Sequence, residues 1–409
     1  MHRTTVQTER AEQRSYPNNA MKAALAFDSF KGCLSSREAA LAARSGLMDA
    51  GMAGDDILCY TMSDGGEGFC EAVSSYLDGS MVQALVHSPL GDEVTAEYFL
   101  AADGTAYIES ASACGYTLVP KDRRNPFATS SYGLGELIQD AAAKGASRIV
   151  VGLGGTSTCD AGVGMLQALG VKFFVENSDD GILPDGTPAL LSEIIGIDAR
   201  SLCGWSIPME AWVDTEAGFC GNDGAVRMFG RQKGLSDELL PQADNWMLRM
   251  DLLYRKFVRG LFRKRLWNRS GCGAAGGIGG ALYAMLKAQI KSGAEEVIAM
   301  SGLRDRLLDF ADPIDLVLTG EGNFDIQTMS GKLPFIVADA VAEIGSAKLF
   351  NRKARTHTRL VCLCGRTEIL QAEGFEDIRG ITPAGTSEAD ALDPVQAAAR
   401  LRKAAAELI

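Results

Sequence analysis

Ala23-Ala24-Leu25-Ala26-Phe27-Asp28-Ser29-Phe30-Lys31-Gly32 is an apolar run that stops abruptly at a polar, glycine-terminated loop. Five apolar residues bounded in this way read as a buried strand. Ser35 or Ser36 then supplies a cap for a helix whose apolar positions include Ala39, Ala40, Ala43 and Leu47. The unit is strand, loop and helix, which predicts an α/β protein with a parallel sheet. Its loop carries Asp28, Ser29 and Lys31 at the carboxyl end of a strand, where open α/β sheets place ligands.

The same grammar recurs outward from this stretch. Ile57 to Met62 reads as the next strand, Ser63-Asp64-Gly65-Gly66-Glu67-Gly68 as its loop, and Phe69 to about Leu77 as a helix. Residues 82 to 110 have a different texture. They alternate, with Val94, Ala96, Tyr98 and Leu100 on one face, and Asp103-Gly104 marks a hairpin turn. Sheet type therefore changes near residue 80. A helix from Tyr132 to Ala143 and an apolar strand from Arg148 lead into Gly152-Leu153-Gly154-Gly155-Thr156-Ser157-Thr158-Cys159-Asp160-Ala161-Gly162. Ile314 to Thr319 and Leu360 to Leu363 read as late strands around an amphipathic helix from Leu333 to Ile344. Both ends of the chain thus read as strand-loop-helix and the middle contains hairpins, which predicts a discontinuous parallel-sheet domain carrying an insertion. The expected division is an N-terminal disordered extension over 1–20, a domain over 21–84 and 286–409, and an inserted α/β domain over 85–285.

Composition restricts the function. The chain has 409 residues, 46% hydrophobic and 22% charged, as in ordinary globular proteins. With 40 Lys and Arg against 52 Asp and Glu, the net charge of −12 offers no general attraction to nucleic acid or to an anionic membrane. The segment Tyr254 to Arg269 is a local exception, rich in Arg and Lys, and reads first as a solvated helix face. Ten scattered Cys without paired C-x-x-C motifs, and no secretory signal or transmembrane run, predict reduced thiols and a cytoplasmic location. Only three His are present, so hydrolases built on a histidine base and His-ligated metals are poor fits.

What remains is carboxylates and glycine-rich loops. Gly154, Gly155, Thr156 and Ser157 suit a phosphate, because glycines admit close approach and hydroxyls and helix N–H groups donate to an anion. Asp64 and Glu67 can hold Mg²⁺ or act on a substrate hydroxyl, since Mg²⁺ takes one or two carboxylates plus waters and phosphates. Glu321 and Asp325, followed by Gln327, Thr328 and Lys332, repeat that chemistry at another strand end. Lys332 is placed to reach a phosphate. Gly271-Cys272-Gly273-Ala274-Ala275-Gly276 matches a dinucleotide fingerprint by letters, but no strand precedes it, so close packing or a phosphate-contacting turn are the better readings. No P-loop motif occurs. These parts are the ones phosphoryl transfer requires: loops for phosphates, carboxylates for Mg²⁺ and the attacking hydroxyl, and a cation for developing charge.

Taken in order, Asp28-Ser29-Phe30-Lys31-Gly32, Ser63 to Gly68, Pro89-Leu90-Gly91, Tyr132 to Ile138, Gly154-Gly155-Thr156, Phe229-Gly230-Arg231-Gln232-Lys233-Gly234, Gly273 to Gly277 and Gly320-Glu321-Gly322 resemble the successive motifs of the bacterial type 1 glycerate kinase family. The resemblance runs from about Met21 to Gly385. It implies a flavodoxin-like (Rossmann-like) discontinuous domain with an inserted restriction-endonuclease-like domain. It also implies ATP-dependent, Mg²⁺-assisted phosphorylation of glycerate, usually to 2-phosphoglycerate. ATP and glycerate are then the expected partners, without nucleic acid or membrane, and a homodimer is one expected assembly. On matching motif positions, Asp160, Asp214 and Lys31 are candidates for catalysis. Asp28, Ser29, Asp64, Glu67, Glu321 and Asp325 are candidates for substrate binding, and Asp64 and Asp214 for the metal. Lys31, Arg124 and Lys233 are the candidate cations for the glycerate carboxylate.

The chain departs from the family pattern in places. Asp214-Thr215-Glu216-Ala217-Gly218-Phe219 stands where Asp-Val-Asp-Asn-Pro-Leu is usual, Cys159 replaces an Asn and Ala161 a Gly, and Asn323 and Ile326 stand where Arg and Gly are common. Ile326 raises the question of a blocked pocket. These changes keep a second reading open, a divergent paralogue that binds a small hydroxy acid without turnover or with an altered acceptor.

Overall fold

The structure is a computed structural model and describes residues 21–176, 180–186, 191–257, 266–326, 328–348 and 357–409. The expected extension over 1–20, Gln327 and the centre of the basic segment, 258–265, lie outside the described residues.

Two sheets organise the chain. The first is five-stranded and wholly parallel, in the order Asp377–Gly380, Arg359–Cys364, Leu316–Gly320, Ala23–Phe27 and Ile57–Thr61. Residues of Ala23–Phe27 alternate between two cores. Ala23, Leu25 and Phe27 join Ala39, Ala43 and Leu47 on one side, whereas Ala24 and Ala26 join Phe69, Val297 and Val337 on the other. A strand buried on both faces must be apolar throughout, which is why this one carries no alternation. The helix Ser36–Asp49 begins as the sequence indicates. Ser35 Oγ accepts from Glu38 N at 3.2 Å and Glu38 Oε2 accepts from Ser35 N at 2.8 Å, a reciprocal cap. This helix crosses the C-terminal helix Pro394–Ala406 at Gly46, where a Cβ would lie 2.0 Å from the Arg402 carbonyl oxygen.

The second sheet is six-stranded and mixed. Gln289–Ser292, Met209–Val213, Arg148–Leu153 and Thr105–Glu109 are parallel, and Glu93–Ala101 and Gly79–His87 continue antiparallel. The change of sheet type expected near residue 80 thus falls at the start of Gly79–His87. That strand crosses position 84/85 and Gln289–Ser292 lies beyond position 285, so membership of the second sheet extends past the boundaries anticipated for the insertion. Phe99, Tyr107, Val150 and Trp212 of the second sheet share one core with Phe69, Val73 and Val297 and with strands of the first. Phe69 packs edge-on against Trp212, ring centroids 5.5 Å apart. The helices Phe69–Ser74 and Gly293–Ser301 are therefore common to both sheets.

The chain leaves Ala23–Phe27 toward Ile57–Thr61 on one side, while Leu316–Gly320 lies on the other and leads on to Arg359–Cys364. Connections diverge between these two neighbours, and such a switch point opens a crevice at the carboxyl ends of the strands. Asp28 follows one strand there and Glu321 the other, and Asp28 N donates to Gly320 O at 2.9 Å.

All ten cysteines are free thiols. No described helix is long and apolar enough to cross a membrane.

Candidate active site

Glycine contacts bring the strand ends of the two sheets together. A Cβ on Gly154 would stand 2.4 Å from Gly66 Cα, and one on Gly293 would stand 2.2 Å from the Asp64 carbonyl oxygen. Neither position accepts a larger residue without backbone movement. The loop Ser63 to Gly68 is in consequence clamped between the ends of Arg148–Leu153 and Gln289–Ser292, and Asp64 is held facing the Asp28 loop.

Lys31 is the centre of the resulting cluster. Its Nζ lies 3.7 Å from Asp64 Oδ2 and 3.9 Å from Asp214 Oδ2, so one ammonium joins a loop of the first sheet to the strand end of the second. Asp64 is buried, and its Oδ1 accepts from Gly66 N at 2.9 Å. Burial opposes its ionisation, but Lys31, followed by the Gly66 N–H, overcomes this and holds the carboxyl below its ordinary value. Asp214 is pushed up to about 6, by burial and then by the Asp64 charge, despite Lys31. Asp28 is pushed well above its ordinary value, by burial first and by Asp64 second, and neither of its buried carboxyl oxygens has a hydrogen-bond partner. The charge of Asp64, reinforced by those of Asp214 and Asp28, stabilises the Lys31 ammonium in return. Three carboxyl groups around one lysine cannot all ionise equally readily, and the structure ranks them: Asp64 gives up its proton first, and Asp214 and Asp28 hold theirs to higher pH.

A cavity of about 700 Å³ opens onto this cluster. Ser29, Lys31, Asp214, Glu321, Asp325 and Lys332 line it, as do Glu216, Asp223 and Gln232. Glu321 accepts from Thr328 Oγ1 at 2.6 Å and lies 3.5 Å from Lys332 Nζ; burial raises its proton affinity, and Lys332 and Thr328 oppose the rise. Ser29 Oγ is buried without a partner.

Several of the residues expected at the site stand away from this cavity. Asp160 does not approach the cavity. It is buried, and its carboxylate accepts from Ser131 N, Ser131 Oγ, Gly162 N and Gly164 N at 2.7–3.2 Å, so it ties two loops together. Gly154, Gly155, Thr156 and Ser157 stand outside the lining as well. Ser157 Oγ donates to Cys114 O, and Thr156 Oγ1 accepts from Lys233 Nζ. Glu67 is exposed and is not part of the lining. Asp28 and Asp64 are both buried and neither lines the cavity, which the cluster reaches through Lys31 and Asp214. Of the candidate cations, Lys31 alone reaches the cavity. Lys233 is buried, its ammonium disfavoured by that burial and bound to Thr156 Oγ1 and Thr158 O, and Arg124 lies over the Tyr116 ring. The Gly271 to Gly277 segment is a packing device. Ala275, Gly276 and Gly277 have φ of 53, 67 and 96°, and a Cβ on Gly276 would meet Thr158 O at 2.0 Å. Ile326 is 77% exposed and leaves the cavity open.

Asp223 and Gln232 were absent from the expected site. Gln232 sits in the motif Phe229 to Gly234, which gave the only hint, whereas Asp223 is brought in by the turn at Gly221–Gly224 without any motif of its own. Among the described residues no group of three His, Cys, Asp or Glu side chains is arranged to hold a metal ion. Asp64 and Asp214 both pair with Lys31 Nζ.

A parallel-sheet α/β enzyme with carboxylates and lysines gathered at strand carboxyl ends is the class these features define. A family model described as the glycerate kinase family matches residues 23–409. The chain belongs to the glycerate kinase family. It is 37% identical over 335 residues to the glycerate kinase of Haemophilus influenzae, covering 81% of this chain and 84% of that one. It is also 37% identical over 322 residues to the glycerate 2-kinase of Escherichia coli, covering 78% and 81%. The crystal structure of a protein described as glycerate kinase 2 from Salmonella typhimurium LT2 superposes with a TM-score of 0.70 at 32% identity, covering 95% of this chain and 97% of that one.

Proposed function

We propose that the protein transfers the terminal phosphoryl group of ATP to a hydroxyl of glycerate, giving 2-phosphoglycerate, with Mg²⁺. The observation that carries this reading is the contact of Lys31 with both Asp64 and Asp214 at the mouth of the 700 Å³ cavity. Asp214, with its proton affinity poised near pH 6, takes the hydroxyl proton, because a base works best when its pKa lies near the operating pH. Lys31 offsets charge developing on the transferring group, and Lys332, which also lines the cavity, meets the phosphates. Ser29 orients glycerate through its unpartnered hydroxyl.

The residues fit Mg²⁺. Asp64 is held ionised with one oxygen free of hydrogen bonds, and Asp214 stands beside it, which matches an ion that takes one or two carboxylates and completes its shell with water and phosphate. Asp64 would be the principal ligand. When bound, the ion draws charge from the phosphate oxygens and aligns them.

On this reading the first sheet with its helices is a flavodoxin-like domain and the second sheet an inserted endonuclease-like domain, in a cytoplasmic enzyme that forms a homodimer. The test is ADP release by purified protein with glycerate, tartronate or lactate as acceptor, with phosphorus NMR to locate the new ester. Absence of acceptor-dependent ADP release would sink the proposal. One observation favours the second reading, binding without turnover: Glu216 and Ala217 line the cavity within the segment that departs from the family pattern. Calorimetry that finds glycerate bound and ATP unbound would decide for it.

A further inference from the structure

We propose that a second cleft, of about 910 Å³, receives the nucleoside end of the nucleotide, an inference that rests on the kinase reading above and assigns a subsite to it. The two cavities share Asn323 and Asp325, so they are neighbours across one short segment. Asn323 Nδ2 donates to Asp325 Oδ2 at 2.8 Å, which fixes the partition between them.

Their linings are sorted by chemistry. Lys31 and Lys332 both line the 700 Å³ cavity, with most of the carboxylates. The larger cleft has only Asp325, Arg366 and Glu368 as ionisable lining residues, and the Arg366 guanidinium already donates to Thr386 O at 3.1 Å. It offers little to a polyphosphate. Its walls instead present Ile326 and Leu370, which are 77% and 69% exposed. Exposed aliphatic side chains facing a cleft with a few polar groups are what a flat heterocycle and its sugar require. A nucleoside triphosphate has the same division, an anionic end and a neutral end whose flat aromatic base stacks on apolar side chains.

The cleft is also rigidly built. Its floor is Phe324, 1% exposed and packed edge-on against Phe375 with centroids 5.6 Å apart. Asn323 and Phe324 pair in parallel with Arg366 and Thr367, and the turn from Pro383 is closed by Thr386 Oγ1 donating to Pro383 O at 2.7 Å. A preformed compartment binds without ordering loops at the moment of binding.

The test uses the full chain and the Ile326→Ser/Leu370→Ser double variant, whose changes are uncharged and exposed and so spare both fold and field. Calorimetry is run with the β,γ-imido analogue of ATP, with inorganic triphosphate and with glycerate. The analogue's Kd is expected to rise about tenfold in the double variant, while triphosphate and glycerate Kd stay within twofold. An unchanged analogue Kd overturns the subsite, as does an equal loss for triphosphate, which would put the damage in the phosphate site. If the unmodified protein binds no analogue and releases no ADP with glycerate, the kinase reading itself has failed and the subsite falls with it.

Discussion

Lys31 Nζ lies 3.9 Å from Asp214 Oδ2, and this contact spans the two sheets: Lys31 follows the Ala23–Phe27 strand and Asp214 ends the Met209–Val213 strand. Any change in how the sheets are packed changes this distance, so the electrostatics of the site report on the whole architecture.

Asp214→Asn is expected to lower kcat on glycerate by roughly 10²- to 10⁴-fold, the usual contribution of a general base. In the unmodified protein, kcat/KM should rise with pH through about 6, as Asp214 loses its proton. A variant within threefold of the original rate would remove Asp214 from the proton transfer.

The same substitution should stabilise the unliganded fold at neutral pH. Asp214 has a folded-state proton affinity raised from 3.8 to about 6, so the folded state binds more protons than the unfolded one between those values. Its contribution is fully present below the lower value and is lost as pH rises through the upper one. The melting temperature of Asp214→Asn minus that of the original should therefore grow between pH 4 and pH 7. Subtraction matters because Glu109, pushed up to about 7 by burial, slopes the same way. A flat difference would contradict the assignment.

Lys31→Met removes the charge that opposes protonation of Asp214. The acid limb of the pH profile should move to higher pH, and the rate should fall on the order of 10³-fold as a phosphoryl-stabilising cation is lost. A rate loss without movement of the limb would place Lys31 at the phosphate only.

Asp160→Ala should act on stability and leave chemistry nearly untouched. It strands the N–H groups of Ser131, Gly162 and Gly164, at about 1–3 kcal/mol for each buried unsatisfied donor. Urea unfolding should show a loss of about 3 kcal/mol or more. The kcat of the folded fraction should stay within a few fold, and a catalytic-scale loss would restore Asp160 to the site.

Gly154→Ala is expected to cost about 1–3 kcal/mol by overpacking, because its Cβ would press on Gly66 Cα. The push is transmitted to Asp64, so kcat should fall as well. An unchanged melting temperature would mean that the two loops separate freely.

Much was legible in the chain itself. The cap at Ser35, the helix from Tyr132 to Ala143 and the strands at Ala23, Arg148 and Leu316 follow from local periodicity and turn chemistry, which act over a few residues. Asp64, Glu321 and Lys31 were legible as chemistry because few other residues combine charge with a glycine-bearing strand end, whereas Asp214 was reached only through the family resemblance. Asp160 and the Gly154 loop looked equally suited, and the sequence had no means of separating them. A carboxylate that binds substrate and one that accepts four internal hydrogen bonds have the same letters and the same glycine neighbours. Only the packing of Ser131 onto Asp160, and of Lys233 onto Thr156, spends those polar groups inside the protein. Likewise the proton order among Asp28, Asp64 and Asp214 depends on burial and on their distances to Lys31, quantities set by segments far apart in the chain. The sequence by itself determined the strand-loop-helix units and the kind of chemistry they could host. Tertiary packing decided which loops face the cavity, because burial and opposing charge are properties of the assembled sheets.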